Sequence, residues 1–160
     1  MKIAVAGGTG KTGRKVVEHL HSQGHHPVIL ARAHGVDLIQ NTGIDAALDG
    51  VDAVIDVSDF ATMNAKKAQA SFGAATANLL AAAQRNGVRH HVTLSIIGID
   101  RATSGYYQGK LRQEEVVKAG AVPWTILRAA QFHEFADQVL AQVPGPIALV
   151  PKMQSQPIAV

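Results

Sequence analysis

The stretch Ala6-Gly7-Gly8-Thr9-Gly10-Lys11-Thr12-Gly13-Arg14 constrains the fold more than any other part of the chain. An apolar run, Ile3-Ala4-Val5-Ala6, precedes it and reads as a short buried strand. Lys15-Val16-Val17-Glu18-His19-Leu20 follows with the apolar spacing of a helix. Glycines at 7, 10 and 13 in that context point to a phosphate-binding turn. Gly7 lets the chain leave the strand, Gly10 leaves room for a pyrophosphate, and Gly13 lets the helix approach the sheet. Amides at the helix start then face the anion, and the helix dipole favours its negative charge. The loop is not a kinase-type P-loop, because Gly10-Lys11-Thr12 follows Gly7 too soon.

A strand, a glycine loop and a helix need partners, and the rest of the chain supplies them in alternation. Further strands are expected over 27–31, 36–39 (a minor third strand), 51–57, 91–97 and 124–127. Helices are expected over 66–85, 106–119 and 131–142, with at most a short one over 44–48. Short extended pieces close the chain at 147–150 and 157–160. The alternation implies one α/β domain over 1–160, a doubly wound parallel sheet with right-handed crossovers. With the glycine loop in the first turn, a Rossmann-type order 3-2-1-4-5-6 is expected.

Composition narrows the function. A length of 160 residues permits one real core. The formal charge of +3 is spread without basic runs, so no nucleic-acid partner is expected. There is no cysteine, hence no disulfide framework and no thiol chemistry. No signal-peptide pattern or membrane-length apolar run stands in the sequence, so a cytoplasmic protein without membrane contact is expected. The histidines flank turns and helix ends, and no metal site is expected from them.

Several side chains then carry candidate chemistry. Thr9, Lys11, Thr12 and Arg14 belong to the phosphate loop with its three glycines. Arg32 stands where an acidic residue would select NAD through the ribose hydroxyl, and its planar fork suits the 2′-phosphate of NADP. Arg14 could clamp that phosphate from the other side. NADP is therefore the expected cofactor, with NAD the alternative. Asp56 and Ser58 end the strand beside the cofactor, and Asp56 is a candidate ribose contact. Tyr106 and Lys110, at i and i+4, share one helix face, and Ser95 ends the strand before them. A lysine ammonium beside a phenol lowers its pKa, so Tyr106 could pass a proton while Ser95 orients the substrate oxygen. Tyr107 competes for the acid role. His133 follows the last expected strand, at the edge where substrates enter, and is a candidate pocket residue.

The chain resembles an atypical short-chain dehydrogenase/reductase of the NmrA-like NAD(P)-binding group. The resemblance rests on residues 5–13, on Leu94-Ser95-Ile96-Ile97-Gly98-Ile99-Asp100, on Tyr106-Tyr107-Gln108-Gly109-Lys110, and on Pro123-Trp124-Thr125-Ile126-Leu127-Arg128. It implies NADP-linked reduction of a small carbonyl, enone or quinone. Alternatives are a non-catalytic dinucleotide sensor and, more remotely, a sugar-nucleotide epimerase. A homo-oligomer is compatible with the resemblance. Relatives place an acidic residue just after the third strand to hold adenine, where Gln40-Asn41-Thr42 stands here. They also run on into a substrate-covering region, so the expectation is a truncated product whose cofactor half is present and whose lid is mostly absent.

Overall fold

The strand before the glycine loop is paired on both edges and covered on both faces, which explains its apolar run from Ile3 to Ala6. In this computed structural model, which describes residues 1–102, 104–132 and 157–159, β1 (Lys2–Ala6) lies between β2 (His26–Leu30) and β3 (Ala53–Asp56). Both pairings are parallel, Ala4 standing opposite Val28 and Val54. Ile3 and Val5 point to one face, where they meet Leu20, Val16 and Val17 of α1 (Lys11–Ser22). Ala4 and Ala6 point to the other and join the main core. That core draws on α2 (Ile44–Leu48) and α3 (Ala65–Arg85). β4 (His90–Ile96), α4 (Gly105–Ala119) and β5 (Trp124–Ala129) complete the chain as far as the sheet edge.

The described sheet is five-stranded and all-parallel, in the order β2-β1-β3-β4-β5. This is the Rossmann-type α/β fold expected from the alternation of strands and helices, with the expected order less its third strand. Residues 36–39 form a turn instead. The Asp37 carboxylate accepts from the backbone amides of Ile39 and Gln40 at 2.9 and 3.0 Å. Asp37 pairs only with Thr42, in an isolated antiparallel bridge. Asn41 takes a positive φ of 56°, and Gly43 a φ of 72° beneath the Gly35 carbonyl. An aspartate that satisfies neighbouring amides offers the backbone an alternative to a ladder, and here that alternative wins.

α3 buries a series of small residues, and α4 packs close against its first half. Ala68, Ala75, Ala82 and Ala83 are all buried there. A Cβ built on Gly109 of α4 would stand 2.6 Å from the Phe72 ring and 2.8 Å from Ala68 Cβ, so only glycine fits. Asn64 caps α3, accepting from the Lys67 amide at 3.0 Å. After β5, Phe132 pairs in parallel with Ile158, whose amide donates to the Gln131 carbonyl at 2.9 Å. The helix expected over 131–142 and the extended piece over 147–150 fall outside the described residues, apart from Gln131 and Phe132.

One core residue makes stability depend on pH. His91 on β4 is fully buried, with Nε2 2.8 Å from the Thr93 hydroxyl and Nδ1 without a partner. Burial holds its pKa below the ordinary value, against the pull of Asp56 and with the push of His90. The unfolded chain thus binds the proton first, near pH 6.5, and folding stability falls as pH drops through and below that value. In urea melts between pH 7 and 5, the wild type is expected to lose up to about 1.4 kcal/mol per pH unit beyond what His91→Gln loses. Parallel pH profiles would remove His91 as the cause.

Candidate functional site

The glycine loop is built by backbone contacts that leave no room for side chains at two positions. Gly7 takes φ +77°, and its amide donates to the Leu30 carbonyl at 3.1 Å. A Cβ there would come within 2.8 Å of Ser58 Cα and the Val57 carbonyl oxygen. At Gly13 a Cβ would stand 2.1 Å from the Gly7 carbonyl oxygen. Gly10 is the N-cap of α1, and its Cβ would meet only the Gly7 oxygen, at 3.2 Å. No side chain caps the helix start and its first turn has no acid, so the amide end of α1 suits an anion. Thr9, Gly10 and Lys11 are exposed there, and Thr12 is half-buried. Arg14 is exposed, and its Nε donates to the Thr9 carbonyl at 2.9 Å, so it holds the loop from outside.

A cavity of about 270 Å³ opens over this loop. Gly7, Thr9, Gly10, Arg32, Ser58 and Asp59 are on its wall. Arg32 is exposed and starts a 3₁₀ turn at the end of β2. Arg14 is not on the wall. Ser58 is buried and its Oγ lacks a hydrogen-bond partner, so the protein alone leaves one polar atom beside the cavity unmatched. The glycine turn and this atom fit a dinucleotide. Sequence reasoning passed over Asp37, Leu38, Ile39, Asp59 and Phe60, which also line the cavity. An acid is thus on the wall at Asp37, ahead of residues 40–42. A larger hollow of about 470 Å³ lies between α3 and α4, lined by Arg112 and Glu115 among others. These two pair with each other at 2.9 Å and are remote from the loop.

The expected catalytic trio is close together, but its hydrogen bonds run differently. Tyr106 is half-buried, edge-on to Phe72 at 5.8 Å and to Tyr107 at 5.8 Å. Burial first, and then the facing Asp59 carboxylate, push the phenol well above its ordinary pKa. Lys110 was expected to lower it; burial and Asp59 act in the opposite direction. Lys110 is 4% exposed and donates to the Leu94 carbonyl at 2.7 Å and to Gln113 Oε1. Its ammonium also lies over the Phe72 ring, 5.1 Å from the centroid. Burial lowers the Lys110 pKa, while Asp56, Asp59 and Glu114 oppose that.

Ser95 corrects a second expectation. It lies on the β4 face that also carries His91 and Thr93, and it is 2% exposed. Its hydroxyl donates to Glu114 Oε1 at 2.6 Å, so it turns inward rather than toward a substrate. Glu114 also accepts from Arg128 Nε and Nη2 at 2.9 and 2.7 Å and from Lys118 at 3.2 Å. Burial would raise this carboxyl, but the bonds from Arg128, Ser95 and Lys118 override it and hold it at about 2. Arg128 reaches on to Asp100 and so ties β5 to the loop after β4. Asp56 corrects a third. Its Oδ1 accepts from the Ser58 amide at 2.9 Å and its Oδ2 from Gln113 Nε2 at 2.8 Å, so both oxygens are engaged inside the protein. Tyr107 is half-buried beside Tyr106, and His133 falls outside the described residues.

Among the described residues no group of three or more His, Cys, Asp or Glu could hold a metal. No described helix is long and apolar enough to cross a membrane.

Comparison with known proteins bears on the family and the fold. Residues 7–144 match a family model described as NAD(P)H-binding. The photosystem II assembly factor Ycf39 of Synechocystis sp. is 29% identical over 111 residues, covering 61% of this chain and 34% of that protein. A UDP-N-acetylglucosamine 4-epimerase from Bacillus cereus superposes with a TM-score of 0.73 at 25% identity, over 89% of this chain and 66% of the other. A short-chain dehydrogenase/reductase superfamily protein from Agrobacterium tumefaciens, solved with bound NAD, gives a TM-score of 0.69 at 26% identity, over 88% and 52%. The triphenylmethane reductase of Citrobacter sp., complexed with NADP(H), shares the fold at 22% identity and a TM-score of 0.68, over 85% and 52%. The chain thus spans about a third of the curated relative and half to two thirds of these solved chains. With its all-parallel sheet, its glycine loop and a match over residues 7–144, the chain belongs to the NAD(P)H-binding family of atypical short-chain dehydrogenase/reductase proteins.

Proposed function

We propose that this protein is an NADP-dependent reductase of the NmrA-like type, acting on a small carbonyl, enone or quinone. The observation that carries the reading is a cavity wall that begins at the glycine loop and continues to Asp59, the residue facing the Tyr106 phenol. A bound nicotinamide supplies the hydride. Gly7, Gly10 and Gly13 shape the pyrophosphate turn, with Thr9, Lys11 and Thr12 at its open helix end and Arg14 bracing it. Arg32 meets the 2′-phosphate, and Asp37 and Ser58 stand beside the nucleoside. Tyr106 donates the proton to an oxygen that gains negative charge; burial and Asp59 hold that proton more tightly, and nearby positive charge must offset them for the transfer. Lys110 supplies the positive charge beneath it. Ser95 acts through Glu114 and Arg128 on the loop after β4, and Tyr107 and His133 border the substrate.

A second reading, a dinucleotide sensor without turnover, is favoured by the inward bond of Ser95 to Glu114. The similarity to an assembly factor points the same way. NADPH oxidation against a panel of carbonyls, enones and quinones separates the two. Turnover supports the reductase; tight binding with no turnover on any of them supports the sensor. Cofactor choice is read from Arg32→Ala. Losing a charge-assisted contact at an exposed position is expected to weaken NADPH binding about tenfold and NADH binding little. Equal losses would mean that Arg32 does not read the phosphate.

A further inference from the structure

Beneath the cleft, one glutamine separates two buried charges. Its neighbours form a single line. The Ser58 amide, at the cavity wall, donates to Asp56 Oδ1 at 2.9 Å. Asp56 Oδ2 accepts from Gln113 Nε2 at 2.8 Å. Gln113 Oε1 accepts from Lys110 Nζ, which also donates to the Leu94 carbonyl at 2.7 Å. Asp56 and Gln113 are each 1% exposed, so the line is dry.

A buried amide is costly unless both of its ends are matched. Here the donor end meets a carboxylate and the acceptor end an ammonium, so the amide dipole is aligned with both charges. A methionine would fill the same space without a desolvation cost, so packing alone does not call for glutamine. Without the amide, Asp56 would draw the ammonium toward β3 and away from the carboxyl end of β4.

We propose that Gln113 is the positioning residue of this site: its amide sets where the Lys110 ammonium stands and links it, through Asp56 and Ser58, to the wall of the dinucleotide cavity. The proposal rests on the reading of Tyr106 and Lys110 as the proton-transfer pair. The charged groups facing Lys110 are Asp56, Asp59 and Glu114, all of which favour its ammonium form against burial. The Phe72 ring below does the same. Gln113→Met removes an acceptor from Lys110 and a donor from Asp56. Gln113→Glu keeps an acceptor at Lys110 and replaces the donor to Asp56 by a carboxyl; the two carboxyls share a proton, and their negative charge comes up against the ammonium.

The test is NMR of the full chain labelled with ¹⁵N-lysine. A buried, hydrogen-bonded ammonium exchanges its protons slowly and gives an Nζ resonance that exposed lysines do not, and Lys110→Met identifies it. The wild type is expected to show this resonance. It should vanish at lower pH in Gln113→Met and persist to higher pH in Gln113→Glu. If the methionine variant does not fold by circular dichroism, the glutamate variant carries the test alone. Where turnover is measurable, Gln113→Met should lower kcat about tenfold or more and leave the dinucleotide Kd within about threefold, since a misplaced group costs rate rather than binding. A folded wild type without the resonance, or variants whose resonance titrates as in the wild type, would overturn the proposal. If the resonance shifts as stated but neither NADPH nor NADH binds, the positioning is supported and the functional reading fails.

Discussion

Gly13→Ala is expected to abolish dinucleotide binding and to destabilise the fold. Alanine in a helix is usually better than glycine by up to about 1 kcal/mol. At this position its Cβ would stand 2.1 Å from the Gly7 carbonyl oxygen and 2.7 Å from Gly8 Cα. Those are backbone atoms, so α1 must back away from the loop. Overpacking of this kind costs on the order of 1–3 kcal/mol, which outweighs the gain in propensity. The same shift moves the helix amides off the phosphate. Urea unfolding and fluorescence titration with NADPH read the two effects. Gly10→Ala is the contrast, because its Cβ meets only the Gly7 oxygen, at 3.2 Å. It should lose affinity with much less loss of stability. Wild-type affinity in Gly13→Ala would mean that the loop does not hold the cofactor.

Tyr106→Phe should lower reduction by about 10² to 10⁴-fold, the usual range for a general acid, with NADPH affinity nearly unchanged. The phenylalanine keeps the edge-on contacts to Phe72 and Tyr107, so packing survives and only the hydroxyl is lost. Because the proton moves as charge develops on the substrate, the defect belongs in kcat. The two tyrosines also allow a direct check. In an alkaline absorbance titration the phenol that ionises last should be the one missing from Tyr106→Phe, because burial and Asp59 hold it protonated. An active enzyme that keeps its rate after the change would pass the acid role to Tyr107 or His133.

The ladder, the glycine turn and the order of elements were legible in the sequence because each is decided locally. An apolar run buried on both faces, a turn that needs positive φ at Gly7, and helical spacing after it leave few arrangements. The edges of this reading failed where a side chain competes with the backbone. Asp37 satisfies the amides of Ile39 and Gln40, and no period in residues 36–39 announces it. Gly109 looked like any helix glycine until the Phe72 ring stood against it.

The site divides along the same line. Its residue types were visible at their spacing: glycines at 7, 10 and 13, Arg32 after the second strand, Tyr106 and Lys110 one turn apart. Their partners were not. That Ser95 turns to Glu114, that Asp56 gives both oxygens to Ser58 and Gln113, and that Lys110 bonds to Leu94 and Gln113 depends on how α4 docks across β3 and β4. A strand's period says that Ser95 shares a face with Thr93, but not which carboxylate will lie across from it. Spacing along one chain determines which side chains share a face; only the docking of distant segments decides which charges meet, and so which way a proton donor is biased.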